Sequence, residues 1–176
     1  MTIPPQELKQ LPIMADESTS KESNCRSGVH SSSMQLTRAA DYGLRAMIHL
    51  ASLPDTERAL LPQMARATSA PESFLSKVLQ SLCKAGFAKS HRGQSGGFEI
   101  LPSGRCATIS AIIQAIEGPV SLNVCTGRDA PCSRKHFCPA HPVWLEAQAA
   151  MLAVLNARTI TELAESASAL AHPARR

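Results

Sequence analysis

The feature that most constrains the fold is a pair of short helical patterns followed at once by a glycine-rich hairpin pattern. Leu61 and Pro62 begin a short helix that breaks over residues 68–70, and Ser69 is predicted to be the N-cap of the next helix. That next helix ends before Gly86, a residue type that commonly terminates helices. Two helices separated by a tight break predict a helix-turn-helix, whose second helix enters the major groove of DNA.

The second helix has two chemically different faces. Its apolar residues recur at three- and four-residue steps, which predicts a buried stripe made of Phe74, Leu75, Val78, Leu79 and Leu82. The opposite face carries short or flexible hydrogen-bonding side chains, two of them cationic. A solvated surface helix could have the same composition, but the short helix before it favours contact with DNA. The residues of this helix predicted to contact DNA are Ser73, Ser76, Lys77, Gln80 and Lys84.

The residues that follow predict a β-hairpin. Residues 87–91 alternate in polarity, 92–97 include three glycines suited to a turn, and 98–101 return as a second strand. A basic hairpin directly after a helix-turn-helix forms a wing that can reach phosphates or the minor groove. The wing residues predicted to contact DNA are Lys89, His91, Arg92 and Gln94, with Arg105 also beside the tip.

The positive charge of the chain is concentrated in this region. Residues 34–105 contain nine Lys or Arg against five Asp or Glu, so their net charge equals the +4 of the whole chain. An acidic polymer such as DNA is therefore a suitable partner. No apolar run approaches the roughly eighteen residues that are needed to cross a bilayer, so no membrane segment is predicted.

The rest of the chain also has mainly helical patterns. Residues 37–52 form an amphipathic helix, and 142–158 form a long helix whose apolar surface is too wide for one neighbour. Such a helix can pack on its own domain and on a second copy, which predicts a homodimer that reads a near-palindromic operator. The predicted fold class is mainly α with a small β-hairpin wing, namely a winged helix-turn-helix plus a long dimerisation helix.

Three of the six cysteines lie in one loop, with a histidine after the last of them. Cys125, Cys132, Cys138 and His141 have the spacing C-x6-C-x5-C-x2-H. Thiolates and imidazole bind zinc, copper(I) or iron–sulfur centres. Structural zinc sites usually use cysteine pairs about two to four residues apart, so the wider gaps here favour a cluster of irons and sulfides while leaving zinc open. A disulfide framework fits less well, because three cysteines pair badly and no secretory signal is recognised.

These motifs together resemble a known family. The segment 36–47, the helix pair, the Arg92-Gly-x-x-Gly-Gly-Phe wing and the three-cysteine loop are similar to the IscR/NsrR-type winged-helix regulators of the Rrf2 family, over about residues 34–165. The resemblance implies a homodimeric, cytoplasmic bacterial transcription regulator. It also implies an iron–sulfur cluster that senses iron, cluster supply, oxidants or nitric oxide.

The resemblance assigns roles to individual residues. The family's cluster cysteines correspond to Cys125, Cys132 and Cys138, and the histidine that ligates a 2Fe-2S cluster in IscR-like members corresponds to His141. An acid that in some NsrR-like members reaches the 4Fe-4S cluster of the partner subunit corresponds to Asp41. We expect His141 and a 2Fe-2S cluster, because His141 lies inside the loop, with Asp41 and a 4Fe-4S cluster as the alternative. The first cysteine gap is six residues where these relatives usually have five, which bears on the loop geometry.

Five segments are predicted along the chain. The N-terminal part is rich in polar residues and poor in large apolar ones, which predicts disorder, and the C-terminal residues are expected to fray. The segments are a disordered extension at 1–33, the winged helix-turn-helix domain at 34–105, a connecting helix and cluster-binding loop at 106–141, a dimerisation helix region at 142–165 and a flexible tail at 166–176.

Two other classes of protein bear on the interpretation. A zinc-stabilised or cluster-free winged-helix repressor would use the same scaffold without redox sensing. A thiol-redox enzyme would need a reactive cysteine beside a resolving one, typically Cys-x-x-Cys, and the sequence has no such pair. No phosphate-binding loop or catalytic carboxylate pattern is present either, so no enzymatic activity is predicted.

Overall fold

The computed structural model describes residues 36–93, 96–127 and 132–171. The predicted extension at 1–33 and the predicted DNA contact Gln94 lie outside these residues. The described chain contains seven α-helices and one antiparallel pair of strands, which confirms the predicted fold class. In chain order the elements are α1 (Arg38–Ala51), α2 (Leu61–Thr68), α3 (Glu72–Lys84), β1 (Ala88–His91), β2 (Gly97–Ile100), α4 (Pro102–Arg105), α5 (Ile109–Glu117), α6 (His141–Asn156) and α7 (Ile160–Ala171).

Helix α1 supplies the largest buried face of the domain. Its start is capped by the Thr37 hydroxyl, which accepts a hydrogen bond from the Ala40 amide at 3.3 Å. Met47 and Leu50 are fully buried, and α1 packs against α2, α3, α5 and α7. The predicted amphipathic helix is confirmed, but its buried face is shifted: of the apolar residues expected to face inward, Ala40 and Met47 are buried, whereas Leu44, Ile48 and Ala51 are half-buried.

The turn between α2 and α3 differs from the sequence prediction. Ser69 is the C-cap of α2, with a left-handed backbone (φ 55°), and is not the N-cap of α3. The Ala70 amide donates to the Ala65 carbonyl at 3.0 Å, which closes the end of α2. Helix α3 begins at Glu72, and its N-cap is Pro71, which makes no side-chain capping bond. The prediction was wrong because Ser69 lies too far from the first turn of α3 to cap it.

The end of α3 matches the prediction made from Gly86. The Phe87 amide donates to Leu82 O at 3.0 Å and the Gly86 amide to Cys83 O at 3.1 Å, with Gly86 at φ 77°. This pair of bonds is the Schellman motif, which a residue without a Cβ adopts at least cost. The motif turns the chain from α3 directly into β1.

The hairpin is extended by a third segment. Ala88, Lys89, Ser90 and His91 pair with Ile100, Glu99, Phe98 and Gly97. Ala59, in the α1–α2 connection, exchanges both backbone hydrogen bonds with Phe98, at 3.0 and 2.9 Å. The wing is thereby attached to the chain just before α2, so its orientation relative to the helix-turn-helix is fixed by backbone bonds.

Helices α5 and α7 complete the core. Ile112 of α5 and Ile160 of α7 are fully buried, and the Ile160 amide donates to Ala107 O at 2.9 Å. Helix α7 continues through Ala171, beyond the predicted boundary at 165. The predicted tail at 166–176 therefore begins as helix, since Leu163 packs on the core and the helix simply continues from there. In the described residues we find no helix with the length and hydropathy to span a membrane.

Candidate DNA-binding surface and metal-binding loop

Helix α3, the predicted recognition helix, packs on the core through one side. Leu75, Leu79 and Leu82 have no exposed surface, and Val78 is 4% exposed. On the opposite side Ser73, Lys77, Gln80 and Lys84 are exposed and Ser76 is half-buried. The polar face predicted to meet DNA is therefore a continuous, outward surface of a helix that the core holds rigidly.

Phe74 departs from the predicted buried stripe. Its side chain is 39% exposed, on the flank of α3. The ring meets Tyr42 of α1 edge-on, with centroids 5.8 Å apart. The buried stripe of α3 is therefore narrower than the sequence predicted, because α1 covers only one side of the Phe74 ring. The exposed part of the ring adjoins the polar face described above.

Cys83 lies on the buried side of α3 and is a packing residue. Burial raises the pKa of its thiol, with a smaller opposing effect from a backbone hydrogen bond at Ser90. A raised pKa lowers the fraction of thiolate, which is the form that reacts and binds metals.

The wing presents two of its predicted cations outward. Lys89 and Arg92 are exposed. His91 is half-buried and lies 2.7 Å from the Glu99 carboxylate across the hairpin. Its imidazole is thus engaged within the wing, which favours a structural role beside Lys89 and Arg92.

Arg105 does not lie beside the wing tip, so its predicted position was wrong. Its guanidinium donates to Ala51 O at 3.0 Å and Leu53 O at 3.3 Å, and pairs with Asp55 at 2.9 Å. These partners sit at the end of α1 and in the loop after it. Arg105 ends α4 after the second wing strand, and the chain has by then turned back toward α1.

The first candidate metal ligand, Cys125, sits in a short 3-10 turn at Val124–Thr126. Asn123 caps this turn, since its Oδ1 accepts from the Val124 amide at 2.7 Å. Gln148 of α6 also contacts the turn: its Oε1 accepts from Leu122 N at 2.8 Å, and its Nε2 donates to Thr126 O at 3.4 Å. Residues 128–131, between Cys125 and Cys132, lie outside the described part of the chain.

The other candidate ligands lie at the entrance to α6. Cys138 O accepts from the His141 amide at 3.1 Å, so the last cysteine and the histidine are joined by one backbone turn. His141 is the first residue of α6, and its Nδ1 is buried with no hydrogen-bond partner in the described structure. A buried imidazole nitrogen without a partner is costly unless something binds it.

These residues fit a soft metal centre in their chemistry. All five described cysteines are free thiols, and Cys125, Cys132 and Cys138 are half-buried. In the described ranges no three His, Cys, Asp or Glu side chains are arranged to hold one metal ion. Ligands of a cluster bind different irons and so lie farther apart than ligands of a single ion. The donor set fits a cluster, and so does the buried Nδ1 of His141, which lacks a partner in the described part of the chain.

Asp41, the alternative fourth ligand, has a partner of its own. Its carboxylate lies 2.9 Å from the Arg45 guanidinium, one helical turn away, and both side chains are about half exposed. Arg45 also reaches Thr68 O, at the end of α2, at 3.5 Å. Asp41 is thus part of an ion pair beside the helix-turn-helix break.

Sequence reasoning missed Gln148 and Asn123. A single glutamine in an alanine-rich helix carries no local signal, because its partners lie more than twenty residues earlier. Asn123 was readable in principle, since asparagine favours caps and turns.

The fold and these surfaces define a winged helix-turn-helix transcription regulator. The chain matches the Rrf2 family, described as an iron-dependent transcriptional regulator, over residues 36–166, and it belongs to that family. Rrf2 regulators bind DNA and function as dimers. The chain is 31% identical over 138 residues to the HTH-type transcriptional regulator NsrR of Geobacillus kaustophilus (strain HTA426), covering 78% of this chain and 94% of that protein.

Two solved structures share the fold. CymR (YrzC), the global cysteine regulator of B. subtilis, superposes with a TM-score of 0.61 at 26% identity, covering 76% of this chain and 98% of that one. T. potens IscR gives a TM-score of 0.65 at 24% identity, covering 81% and 94%. The second likeness supports the fold alone.

Proposed function

We propose that this protein is a homodimeric, cytoplasmic transcription regulator that holds an iron–sulfur cluster with Cys125, Cys132, Cys138 and His141, and that the cluster alters its affinity for a near-palindromic operator. The observation that carries the proposal is the buried Nδ1 of His141, which has no hydrogen-bond partner among the described residues, next to a segment with three free thiols. Similarity to a protein named NsrR supports it. A 2Fe-2S cluster is favoured because His141 belongs to the same chain and loop.

The bound cluster would supply a redox-active centre whose loss or oxidation changes the charge and geometry of its ligands. The chain's own residues supply the response. Helix α6 begins at His141 and packs on α5, and α5 packs on both α1 and α3. A change at the loop therefore has a continuous packed route to the recognition helix.

The dimer is proposed to form through α6. None of the sixteen residues of this helix is buried, and Val143, Leu145 and Val154 are 62%, 45% and 71% exposed. An apolar helix face of this size is costly in water and is typical of an interface. A second copy on α6 would place two recognition helices and two loops in one assembly, as a twofold operator requires.

Coupling between cluster and DNA needs a difference in stability between two arrangements. Cluster binding shifts DNA affinity only if the ordered loop favours one placement of the paired α3 helices over another. Since α6 carries both the loop entrance and the proposed dimer face, ordering the loop is expected to act on the angle between subunits.

A cluster-free regulator is the second candidate. It is favoured by the structural likeness to CymR, which is named as a global cysteine regulator. In that case the scaffold and its DNA surface are unchanged, and the thiols of the loop take no cluster. A zinc-stabilised form would be colourless and contain stoichiometric zinc.

Anaerobic purification distinguishes these candidates. We expect visible absorbance, with iron and sulfide in the protein, and DNA binding that changes on exposure to oxidant or nitric oxide. Cys132→Ala should remove the absorbance, whereas Cys106→Ala, at an exposed position outside the loop, should retain it. Equal DNA affinity of the loaded and empty protein would contradict the sensing role and leave the DNA-binding role intact.

A further inference from the structure

The Gln148 carboxamide spans the turn that holds Cys125. Its oxygen accepts from Leu122 N at 2.8 Å and its nitrogen donates to Thr126 O at 3.4 Å. The two contacts lie on either side of Cys125 in sequence, so one side chain fastens both ends of the turn to α6. The Gln148 side chain itself is half-buried, which limits competition from water.

The turn is also stiff on its own. Asn123 accepts from Val124 N at 2.7 Å, and the Thr126 hydroxyl donates to Asn123 O at 2.8 Å while accepting from Asn123 N at 3.1 Å. These bonds fix the backbone around Cys125 but attach it to nothing else. The attachment to a neighbouring helix is made by Gln148.

Gln148 and His141 lie on the same side of α6. They are seven residues apart, and seven residues at about 3.6 per turn complete nearly two turns. Helix α6 therefore carries the candidate ligand His141 and, two turns later, the clamp on the segment of Cys125. The first and last candidate ligands, Cys125 and His141, are tied to one rigid element, although fifteen residues lie between them in sequence.

We propose that Gln148 is a positioning residue for the iron–sulfur centre, holding the Cys125 turn against α6 so that Cys125 and His141 are both placed relative to α6 before the cluster binds. This inference rests on the proposed function. The physical reason is preorganisation: a turn that is already fixed loses less conformational entropy when the cluster binds. Groups that orient metal ligands typically change metal affinity by about 10- to 100-fold.

The test compares three variants of the full-length protein after anaerobic cluster assembly. Gln148→Leu removes both hydrogen bonds, and Gln148→Glu keeps an acceptor for Leu122 N but loses the donor to Thr126 O. The matched control is Gln114→Leu, because the side-chain hydrogen bond of Gln114 in the described structure stays within α5, to Ser110 at 3.2 Å. The readouts are the rate of cluster loss to an iron chelator, the visible circular dichroism of the cluster, and exchange of the Leu122 amide in cluster-free protein.

We expect Gln148→Leu to lose its cluster about 10- to 100-fold faster than wild type, with altered visible dichroism and faster Leu122 exchange. The rate of cluster loss from Gln148→Glu should lie between the rates of wild type and Gln148→Leu. Gln114→Leu should match wild type in all three readouts. Because Gln148→Glu retains the bond to Leu122 N, it serves as the test should Gln148→Leu fail to fold. Wild-type rates and dichroism in folded Gln148 variants would overturn the inference and leave the cluster proposal standing. A wild-type protein that takes up no cluster would overturn both.

Discussion

The Asp41 carboxylate and the Arg45 guanidinium form an ion pair of 2.9 Å across one turn of α1, and Arg45 also donates to the Thr68 carbonyl at the end of α2. One of the two candidate fourth ligands is thus already paired with a cation. The other, His141, has a buried Nδ1 with no partner in the described residues. The two candidates therefore differ in what ligation would cost: Asp41 must leave Arg45, and His141 gains its missing partner.

We expect His141→Ala to lose visible cluster absorbance and Asp41→Asn to retain it. Removing His141 deletes the fourth donor, whereas Asn at position 41 removes only one charge of a surface ion pair, worth at most about 1 kcal/mol. Absorbance and iron content after anaerobic assembly measure both. Loss of the cluster in Asp41→Asn with retention in His141→Ala would assign the fourth ligand to the partner subunit's Asp41.

The exposed face of α3 is expected to contact phosphates through Lys77. Lys77→Ala should weaken binding to operator and random duplexes alike, and should reduce the slope of log affinity against log salt by about one. Fluorescence anisotropy over a salt series measures this slope. Arg158→Ala, at an exposed position in the α6–α7 connection, is the control and should keep the wild-type slope. An unchanged slope for Lys77→Ala would remove Lys77 from the interface.

Arg105 is expected to stabilise the fold and not the DNA complex. Arg105→Ala leaves two carbonyl groups, those of Ala51 and Leu53, without their donor, and should lower the free energy of unfolding by about 1–3 kcal/mol. Asp55→Ala removes only the ion pair, whose carboxylate is 88% exposed, and should cost less than about 1 kcal/mol. Urea denaturation measures both variants. A stable Arg105→Ala protein with weakened DNA binding would instead support the position at the wing.

His49 is expected to make stability depend on pH. Burial lowers the pKa of its imidazole below the ordinary 6.5, so the unfolded chain binds this proton more readily than the folded protein. The contribution of neutral His49 to the free energy of unfolding is therefore fully present above the pKa that His49 has in the unfolded chain. It is lost as pH falls from that value toward the lower pKa of the folded protein.

The wild-type free energy of unfolding should accordingly decline between about pH 7 and pH 5, and His49→Gln should show a shallower decline. Urea titrations at several pH values measure this difference. Identical profiles for His49→Gln and wild type would show that this imidazole titrates alike in both states.

Much of the scaffold was predictable because its signals are local. The apolar period predicted that α1 is amphipathic and gave the buried side of α3, since a helix repeats every few residues. Gly86 gave the end of α3, because a left-handed cap favours glycine. The glycines at 93, 96 and 97 gave the hairpin. Ser69 was misassigned because it lies between two helices and its residue type suits either the end of α2 or the start of α3. Which helix it caps depends on the residue at which the backbone hydrogen bonds of each helix end.

In the candidate site, too, residue types could be predicted from the sequence and contacts between distant residues could not. The candidate ligands Cys125, Cys132, Cys138 and His141 could be proposed from the sequence, because thiol and imidazole groups can bind a soft metal in any fold. The partners of side chains distant in sequence were not readable. Arg105 was predicted beside the wing tip, but it binds the end of α1. No sequence pattern near Gln148 indicated its hydrogen bonds to Leu122 and Thr126.

The sequence by itself determined which residues are helical, which faces are apolar and which donors are available for a soft metal, since these properties depend on residue type and on neighbours within about one turn. Only the tertiary structure decided that Asp41 is paired with Arg45, that the Nδ1 of His141 has no partner among the described residues, and that Gln148 holds the Cys125 turn. The reason is that such contacts are selected when helices pack, and packing brings together groups whose separation along the chain has no fixed relation to their distance in space.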